Sequence, residues 1–354
     1  MNQPVSTAII GASGYSGEEL VQLLLKHPQA DLVAVTSRQH AGRKLSDVFP
    51  KFGHLPQSSK LCFSEPNPQE LAKKAKVIFL AMPHGTASQY ARPLLDAGCR
   101  VIDLSADFRL RSANVYREFY GENHPEPELL DQAVYGLPEI YRDSIRNGSL
   151  IASPGCYPTS ILLPILPLIR EGLIQASSII ADSLSGFSGA GRKTDQSLLF
   201  VECNESLRPY GVPKHRHLSE IEQEISIAEG NTTTIQFTPH LAPVNRGILT
   251  TIYTAPTTTF HSDQEMESLN LKIAEVYQKA YSSEPFIRVI QKGSLPDTKN
   301  VIGSNVIEFC WRLDPRTGRL ILMSAIDNIV KGAGGQAVQS FNILCGFSES
   351  TGLL

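Results

Sequence analysis

The apolar positions of this chain follow two rhythms. Over the first hundred residues, short strand-like runs alternate with stretches of helical spacing. Val5 to Ile10 reads as a buried strand, and Glu18 to Leu25 has the composition and spacing of a helix. Asp31 to Thr36, Lys76 to Pro83 and Arg100 to Ser105 read as further strands, with a helix over Ser88 to Ala97 despite Pro93. This alternation predicts a parallel, doubly wound α/β sheet that binds its ligand at the carboxyl ends of the strands. Residues 111 to 148, rich in Pro, Glu, Asn and Tyr, predict a loop region with a turn at Tyr135 to Glu139. A domain boundary is expected just after it.

Beyond that point the pattern changes. Ser149 to Ala152 is a short strand, and Ser160 to Ile169 an apolar helix running through Pro164 and Pro167. Strands are then predicted over Ser177 to Asp182, Thr232 to Thr238, Ile248 to Thr254, Val306 to Leu313 and Leu320 to Ala325. Helices are predicted from Leu218 to Ile225 and from Gln264 to Tyr281, with a closing helix leading to Gln339. The second domain is thus expected to be mixed α+β with largely antiparallel strands. No internal repeat or low-complexity tract is present.

Composition narrows the function. With 354 residues, 42% hydrophobic and 19% charged, the chain can bury a large core and is of two-domain size. A net charge of −3 supplies no basic field for nucleic acid. No apolar run approaches the roughly 20 residues of a membrane helix, and no signal-type segment opens the chain, so a cytoplasmic protein is expected. The six cysteines are scattered, without Cys-x-x-Cys pairs or zinc spacing, which points away from disulfides and metal. One of them, Cys156, stands between Gly155 and the Pro158 turn where a strand passes into a helix. Helical N–H groups there favour a thiolate, though a buried structural cysteine explains the local pattern as well. The other five are expected to fill core.

Two more segments carry chemistry. The loop Gly11-Ala12-Ser13-Gly14-Tyr15-Ser16-Gly17 joins the first strand to the first helix. Its glycines permit a tight turn and close approach, and its helix N-terminus suits a pyrophosphate. At the end of the second strand, where NAD-specific folds carry an acid, this chain has Ser37 and Arg38, which suit a 2′-phosphate and favour NADP. His84, at another strand end, is read as a loop residue near the cofactor. Asp103, Asp107 and Arg109 sit at the next. The loop Ser185 to Lys193 ends in two cations and suits a phosphate as well as it suits solvent. Of His215 and His217, either could serve as general acid/base, since imidazole titrates near neutrality; a metal pair is not expected of two residues that do not share a helical face.

Taken together, Gly14 to Leu20, Ser105-Ala106-Asp107-Phe108-Arg109, Pro154-Gly155-Cys156-Tyr157-Pro158-Thr159, His215-Arg216-His217 and Asp327-Asn328 through Gln339 closely resemble the long-form N-acetyl-gamma-glutamyl-phosphate reductases of arginine biosynthesis, over essentially the whole chain. The cysteine motif separates them from the related aspartate-semialdehyde dehydrogenases. The resemblance implies a semialdehyde dehydrogenase-like fold: a Rossmann-like NADP domain of residues 1–155 and 327–354, and a catalytic and oligomerisation domain of residues 156–326. It implies NADPH-dependent reduction of an acyl phosphate to a semialdehyde through a thioester on Cys156, with His217 as acid/base partner. Gly11, Ser13, Gly14, Tyr15, Ser16, Gly17, Ser37, Arg38 and Asn328 would hold the cofactor, and Arg109, Arg192 and His215 the anionic substrate. It also implies a homodimer or homotetramer. Ser219, where the family usually has proline, and Gly334, where it usually has alanine, touch no reacting atom. Rival readings are a reductase of a related acyl phosphate, aspartyl or amino-adipyl, and a non-catalytic redox sensor; no resolving cysteine lies near Cys156 in the chain.

Overall fold

The computed structural model describes residues 3–192, 194–290 and 293–354. The chain forms two compact units, Met1–Pro154 with Ala333–Leu354, and Gly155–Gly332. The first unit thus takes back the end of the chain. The return falls after Gly332 and not before Asp327, so Asp327 and Asn328 belong to the second unit. The reason lies in their bonds, described below.

Continuous apolar strands are stable only in a sheet covered on both faces, and the first unit provides one. Its strands are β1 (Val5–Ile10), β2 (Ala30–Thr36), β3 (Phe63–Ser64), β4 (Val77–Leu80), β5 (Arg100–Asp103), β6 (Ala133–Tyr135) and β7 (Leu150–Ala152). They lie in the order β3-β2-β1-β4-β5-β7-β6, all parallel. One face buries Ile9, Phe79, Ile102 and Ile151 with Leu20, Leu24 and Phe341. The other buries Ala8, Ile10, Ile78 and Val101 with Tyr90, Leu94 and Leu130. The order reverses direction between β2-β1 and β1-β4, which opens a crevice at the carboxyl end of β1, where the glycine loop begins.

Residues 111–148 are not the loop region that composition suggested. They form a helix over Ala113–Tyr120, the edge strand β6, and a helix over Pro138–Asn147. Each helix is short and carries a narrow apolar face, Val115, Tyr116, Phe119 and Tyr120 on the first and Ile140, Tyr141 and Ile145 on the second, set among the polar residues that gave the segment its loop-like composition. Their ends are marked as well. Ser112 caps the first by accepting from the Val115 N–H at 3.3 Å, Gly121 closes it with φ 78°, and Pro138 opens the second.

The second unit is built around a mixed sheet. Its strands are β8 (Ile180–Gly186), β9 (Arg208–Pro209), β10 (Gln236–Ala242), β11 (Ile248–Thr254), β12 (Ile287–Val289), β13 (Ile307–Asp314) and β14 (Arg319–Ile326), in the order β12-β13-β14-β11-β8-β10-β9. Two neighbouring pairs, β8 with β10 and β12 with β13, are parallel; the others are antiparallel. Strands β8 and β10 start later than their apolar runs suggest. Ser183 and Ser185 of β8 point inward despite their polarity, and Pro239 lies inside β10, where proline normally argues against a strand.

The helix Cys156–Arg170 packs on this sheet and is buried on every side from Tyr157 to Ile169, which its uniform hydrophobicity requires. Pro164 and Pro167 have no N–H to bond the carbonyls one turn back. Hydroxyls replace them: Ser324 Oγ donates to the Ser160 carbonyl at 2.7 Å, and Tyr281 Oη to that of Leu163 at 2.6 Å. Tyr277 Oη adds a bond to the Pro164 carbonyl at 2.6 Å. Ser160, Thr250 and Ser183 complete a buried hydroxyl chain with spacings of 2.8 Å. A helix with two interior prolines therefore stays continuous because its neighbours satisfy it.

Candidate active site

Gly155 is the N-cap of the Cys156–Arg170 helix and Cys156 its first residue, with the thiol half-buried at the positive end of the helix dipole. Two glycines make room around it. A β-carbon on Gly155 would lie 2.5 Å from His217 Nε2 and within 2.8 Å of two more ring atoms, and one on Gly332 would lie 2.7 Å from Cys156 Cβ. Neither site has room for a side chain. The absence of a β-carbon at Gly155 is thus what lets the imidazole lie against the backbone just before Cys156.

His217 comes from the helix Arg216–Glu229, and His215 is that helix's N-cap. The His215 Nδ1 accepts the His217 N–H at 3.1 Å, which leaves its proton on Nε2. The two rings meet edge to face with centroids 4.9 Å apart, so the histidines are neighbours although they share no helical face. Cap geometry, and not helical periodicity, brings them together. Burial, aided by the Arg216 charge, pushes His215 down to about 4. At neutral pH it is an uncharged member of an aromatic group with Tyr157, Tyr210 and Phe237, in which the phenols of Tyr157 and Tyr210 hydrogen-bond at 2.9 Å.

Sequence reading missed Glu220. One turn after His217, it is fully buried; its Oε2 accepts the Gly155 N–H at 3.0 Å, and its Oε1 lies 3.8 Å from His217 Nε2. One carboxylate thus holds the backbone beside Cys156 and faces the imidazole. The spacing His217-x-x-Glu220 at a helix start was the available signal.

Gly332 is delivered by a π-helical turn, Val330–Gly334. Asp327, fully buried, organises the approach to it. Its Oδ1 accepts from the N–H groups of Ile329 at 2.8 Å and Val330 at 3.2 Å, its Oδ2 from Gly303 N–H at 2.8 Å, and its carbonyl from Gly332 N–H at 2.9 Å. Asn328 is 2% exposed; it accepts from the Gly247 N–H at 2.8 Å and donates to Ser188 Oγ at 2.9 Å. Its amide thereby joins two loops of the second unit. Arg192 is exposed just past the turn Phe187–Ala190, and Lys193 lies outside the described residues.

In the first unit the glycine loop has separable parts. Gly11, with φ 85°, would put a β-carbon 2.5 Å from the Ala81 carbonyl oxygen, and Gly17 would put one 2.7 Å from Ala12 Cα, so the fold itself needs both. A β-carbon on Gly14 would meet nothing closer than 3.9 Å. Gly14 caps the helix Tyr15–Lys26, whose N-terminus has no side-chain cap. Ser13 Oγ and the buried Ser37 Oγ are 2.9 Å apart, and Arg38 Nη2 donates to Tyr90 Oη at 2.9 Å. At the end of β5, Asp103 is fully buried and pushed up to about 7 by desolvation, with the Asp107 charge second. Asp107 accepts from Gly85 N–H at 2.6 Å and Ser88 N–H at 3.1 Å, fixing the loop that carries His84. Arg109, 8% exposed, donates to the Leu104 carbonyl at 2.9 Å.

Of the other five cysteines, only Cys99 and Cys310 are core; Cys62 is exposed, and Cys203 and Cys345 are half-buried. Cys62 pairs with Lys44 in an isolated bridge, its side chain turned to solvent while the neighbouring Leu61 and Phe63 are buried. Among the described residues no group of three or more His, Cys, Asp or Glu could hold a metal, and no helix is long and apolar enough to cross a membrane.

A family model described as the NAD binding domain of semialdehyde dehydrogenases matches residues 6–148, and one described as their dimerisation domain matches residues 156–328. An N-acetyl-gamma-glutamyl-phosphate reductase of Akkermansia muciniphila is 54% identical over 99% of this chain and 98% of its own. The chain belongs to the N-acetyl-gamma-glutamyl-phosphate reductase family. Family members from Desulfotalea psychrophila and Moorella thermoacetica are 51% and 47% identical, again over 99% of this chain and 98% of theirs. Among solved structures, aspartate semialdehyde dehydrogenase II of Vibrio cholerae, complexed with ASA, covers 98% of this chain and 99% of its own with a TM-score of 0.72 at 16% identity. The Candida albicans aspartate semialdehyde dehydrogenase with NADP reaches 0.71 at 15% identity, covering 97% of this chain and 99% of its own. At such identities these two show the fold that the reductase family shares with them.

Proposed function

We propose that this protein reduces N-acetyl-glutamyl 5-phosphate to the 5-semialdehyde with NADPH, releasing phosphate, as a step of arginine biosynthesis. The observation that carries the reading is a half-buried thiol at a helix N-terminus, with an imidazole laid against the backbone of the preceding glycine and a buried carboxylate beside both. The Cys156 thiolate attacks the acyl carbon; the C–O bond to phosphate breaks, and a thioester remains. His217 takes the thiol proton at the start. Glu220 holds the imidazole and the Gly155 N–H in register. What the cofactor supplies when bound is a hydride for the thioester carbonyl. The Cys156 sulfur then departs from the resulting thiohemiacetal, regaining its proton through His217. His215, held neutral and committed as a helix cap, fits a supporting part.

The glycine loop fits a dinucleotide: Gly14 is a glycine its own surroundings do not demand, before a helix N-terminus no side chain caps. Preference for NADP is supported by Ser37 and Arg38 where an acid would select NAD. Arg109 and Arg192 are assigned to substrate anions, and association into dimers or tetramers to the second unit, whose matching family model bears the dimerisation description.

Trapping tests the chemistry. Enzyme mixed with the acyl phosphate and no NADPH should carry an acyl adduct on Cys156 by mass spectrometry, and Cys156→Ser should lose turnover by several orders of magnitude. In the same assays kcat/KM should favour NADPH over NADH, and Arg38→Asp should reduce that preference by on the order of 2 kcal/mol, about 30-fold. A fully active Cys156→Ser enzyme, or a preference for NADH, would overturn the corresponding part.

A further inference from the structure

Around Cys156 the second unit closes a ring of loops, and the ring carries a further cation, Arg246. From Cys156 the path runs through Gly332, where a β-carbon would lie 2.7 Å from Cys156 Cβ, to Asp327, which accepts the Gly332 N–H. From Asp327 it passes to Arg246, whose Nη1 lies 3.4 Å from Asp327 Oδ2. Gly247 leads on to Asn328, to Ser188 and to the end of β8, whose Ser185 and Gly186 pair with Ile248 and Gly247. The backbone closes tightly beneath Arg246: a β-carbon on Gly186 would be 2.7 Å from the Asn245 carbonyl oxygen and 2.8 Å from Arg246 N.

Arg246 is not needed to satisfy Asp327. That carboxylate already accepts three backbone N–H groups, and its contact with the guanidinium is long compared with the 2.7–2.9 Å of a charge-assisted bond. The Arg246 side chain is 34% exposed, whereas Asp327 is fully buried. A guanidinium presents a planar fork that matches the geometry of a carboxylate or a phosphate. Arg246 is thus a partly exposed cation whose Nη1 faces a carboxylate already supplied with backbone donors, on the same ring as Cys156.

We propose that Arg246 is an anion seat of the reductase, holding the phosphoryl or the carboxylate group of the substrate beside Cys156. The proposal rests on Cys156 being the reacting group, and the test keeps the two apart. Iodoacetamide and iodoacetate both alkylate a thiolate, the sulfur displacing iodide, but only iodoacetate is an anion. The wild-type enzyme should react with iodoacetate several-fold faster, relative to iodoacetamide, than the Arg246→Gln enzyme does. Arg246→Lys should restore part of the difference, and phosphate should slow iodoacetate in the wild type more than in Arg246→Gln. If Cys156 fails to react with iodoacetamide at all, the reading of the nucleophile falls; if it reacts and the ratio is the same in wild type and Arg246→Gln, the anion seat falls. Assay in the direction of phosphorylation then separates the two sources. A KM raised at least 10-fold for phosphate alone assigns the phosphoryl group, and one raised for the semialdehyde alone assigns the carboxylate. Unchanged values for both, in a variant with wild-type Tm, overturn the proposal.

Discussion

At the scale of single residues, the two histidines separate by environment and not by type. Both are imidazoles at one helix start, yet His215 gives its Nδ1 to a backbone N–H and is pushed down to about 4, first by burial and then by Arg216. It therefore stays neutral where enzymes of neutral compartments work. In the unfolded chain it titrates near 6.5. Between about pH 4 and 6.5 the unfolded state then binds a proton that the folded state does not, so this residue's share of stability is complete above pH 6.5 and is lost as pH falls toward 4. Ring nitrogen shifts by NMR should show His215 as the Nε2–H tautomer with a midpoint near 4. A midpoint above 6 would reject this division of labour.

At the scale of elements, the grouping around Cys156 depends on glycines that separate packed parts. The Cys156 helix, the His217 helix and the π-helical turn converge where Gly155 and Gly332 have no side chain. Gly155→Ala would force a β-carbon into the His217 ring, and overpacking of this kind costs roughly 1–3 kcal/mol. The ring must move, so kcat should fall at least 10-fold while the Kd for NADPH, held by the first unit, stays within 2-fold; this is a prediction read from steady-state kinetics and a fluorescence titration. Equal losses in both would mean that the substitution disrupts the fold at large and not the imidazole.

At the scale of the molecule, the chain ends where it began, in the first unit. The last segment is clasped by buried polar groups. Asn342, fully buried, donates to the carbonyls of Glu349 and Thr351, each at 2.9 Å, and its Oδ1 lies 2.9 Å from His27 Nε2. Glu349 accepts from Arg142 Nε at 2.5 Å and from Gln339 Nε2 at 3.1 Å. Deleting residues 348–354 strips partners from Asn342, Arg142 and Gln339. Unsatisfied buried groups cost about 1–3 kcal/mol each, so a loss of about 3 kcal/mol is expected, lowering Tm by roughly 6–12 °C in a unit of this size. Calorimetry checks it; an unchanged Tm would show that the clasp carries no stability.

Much of this protein is legible in its sequence because the physics involved is local. Val5 to Ile10 followed by Gly11, Gly14 and Gly17 specifies strand, turn and helix through chain sterics alone, and the parallel sheet follows from the alternation of apolar runs. Cys156 at the start of a helix is equally local. Residues 111–148 fold into two short helices whose apolar faces and caps are local signals that the segment's polar, proline-rich composition masks. What tertiary structure decided involves groups far apart in the chain. The prolines of the Cys156 helix are tolerated only because Ser324 and Tyr281 supply hydroxyls. That His215 stays neutral, that Glu220 reaches the Gly155 N–H, and that Asp327 meets both Arg246 and the turn of Gly332 beside Cys156 depend on burial and on contacts made by folding, which no sequence window contains.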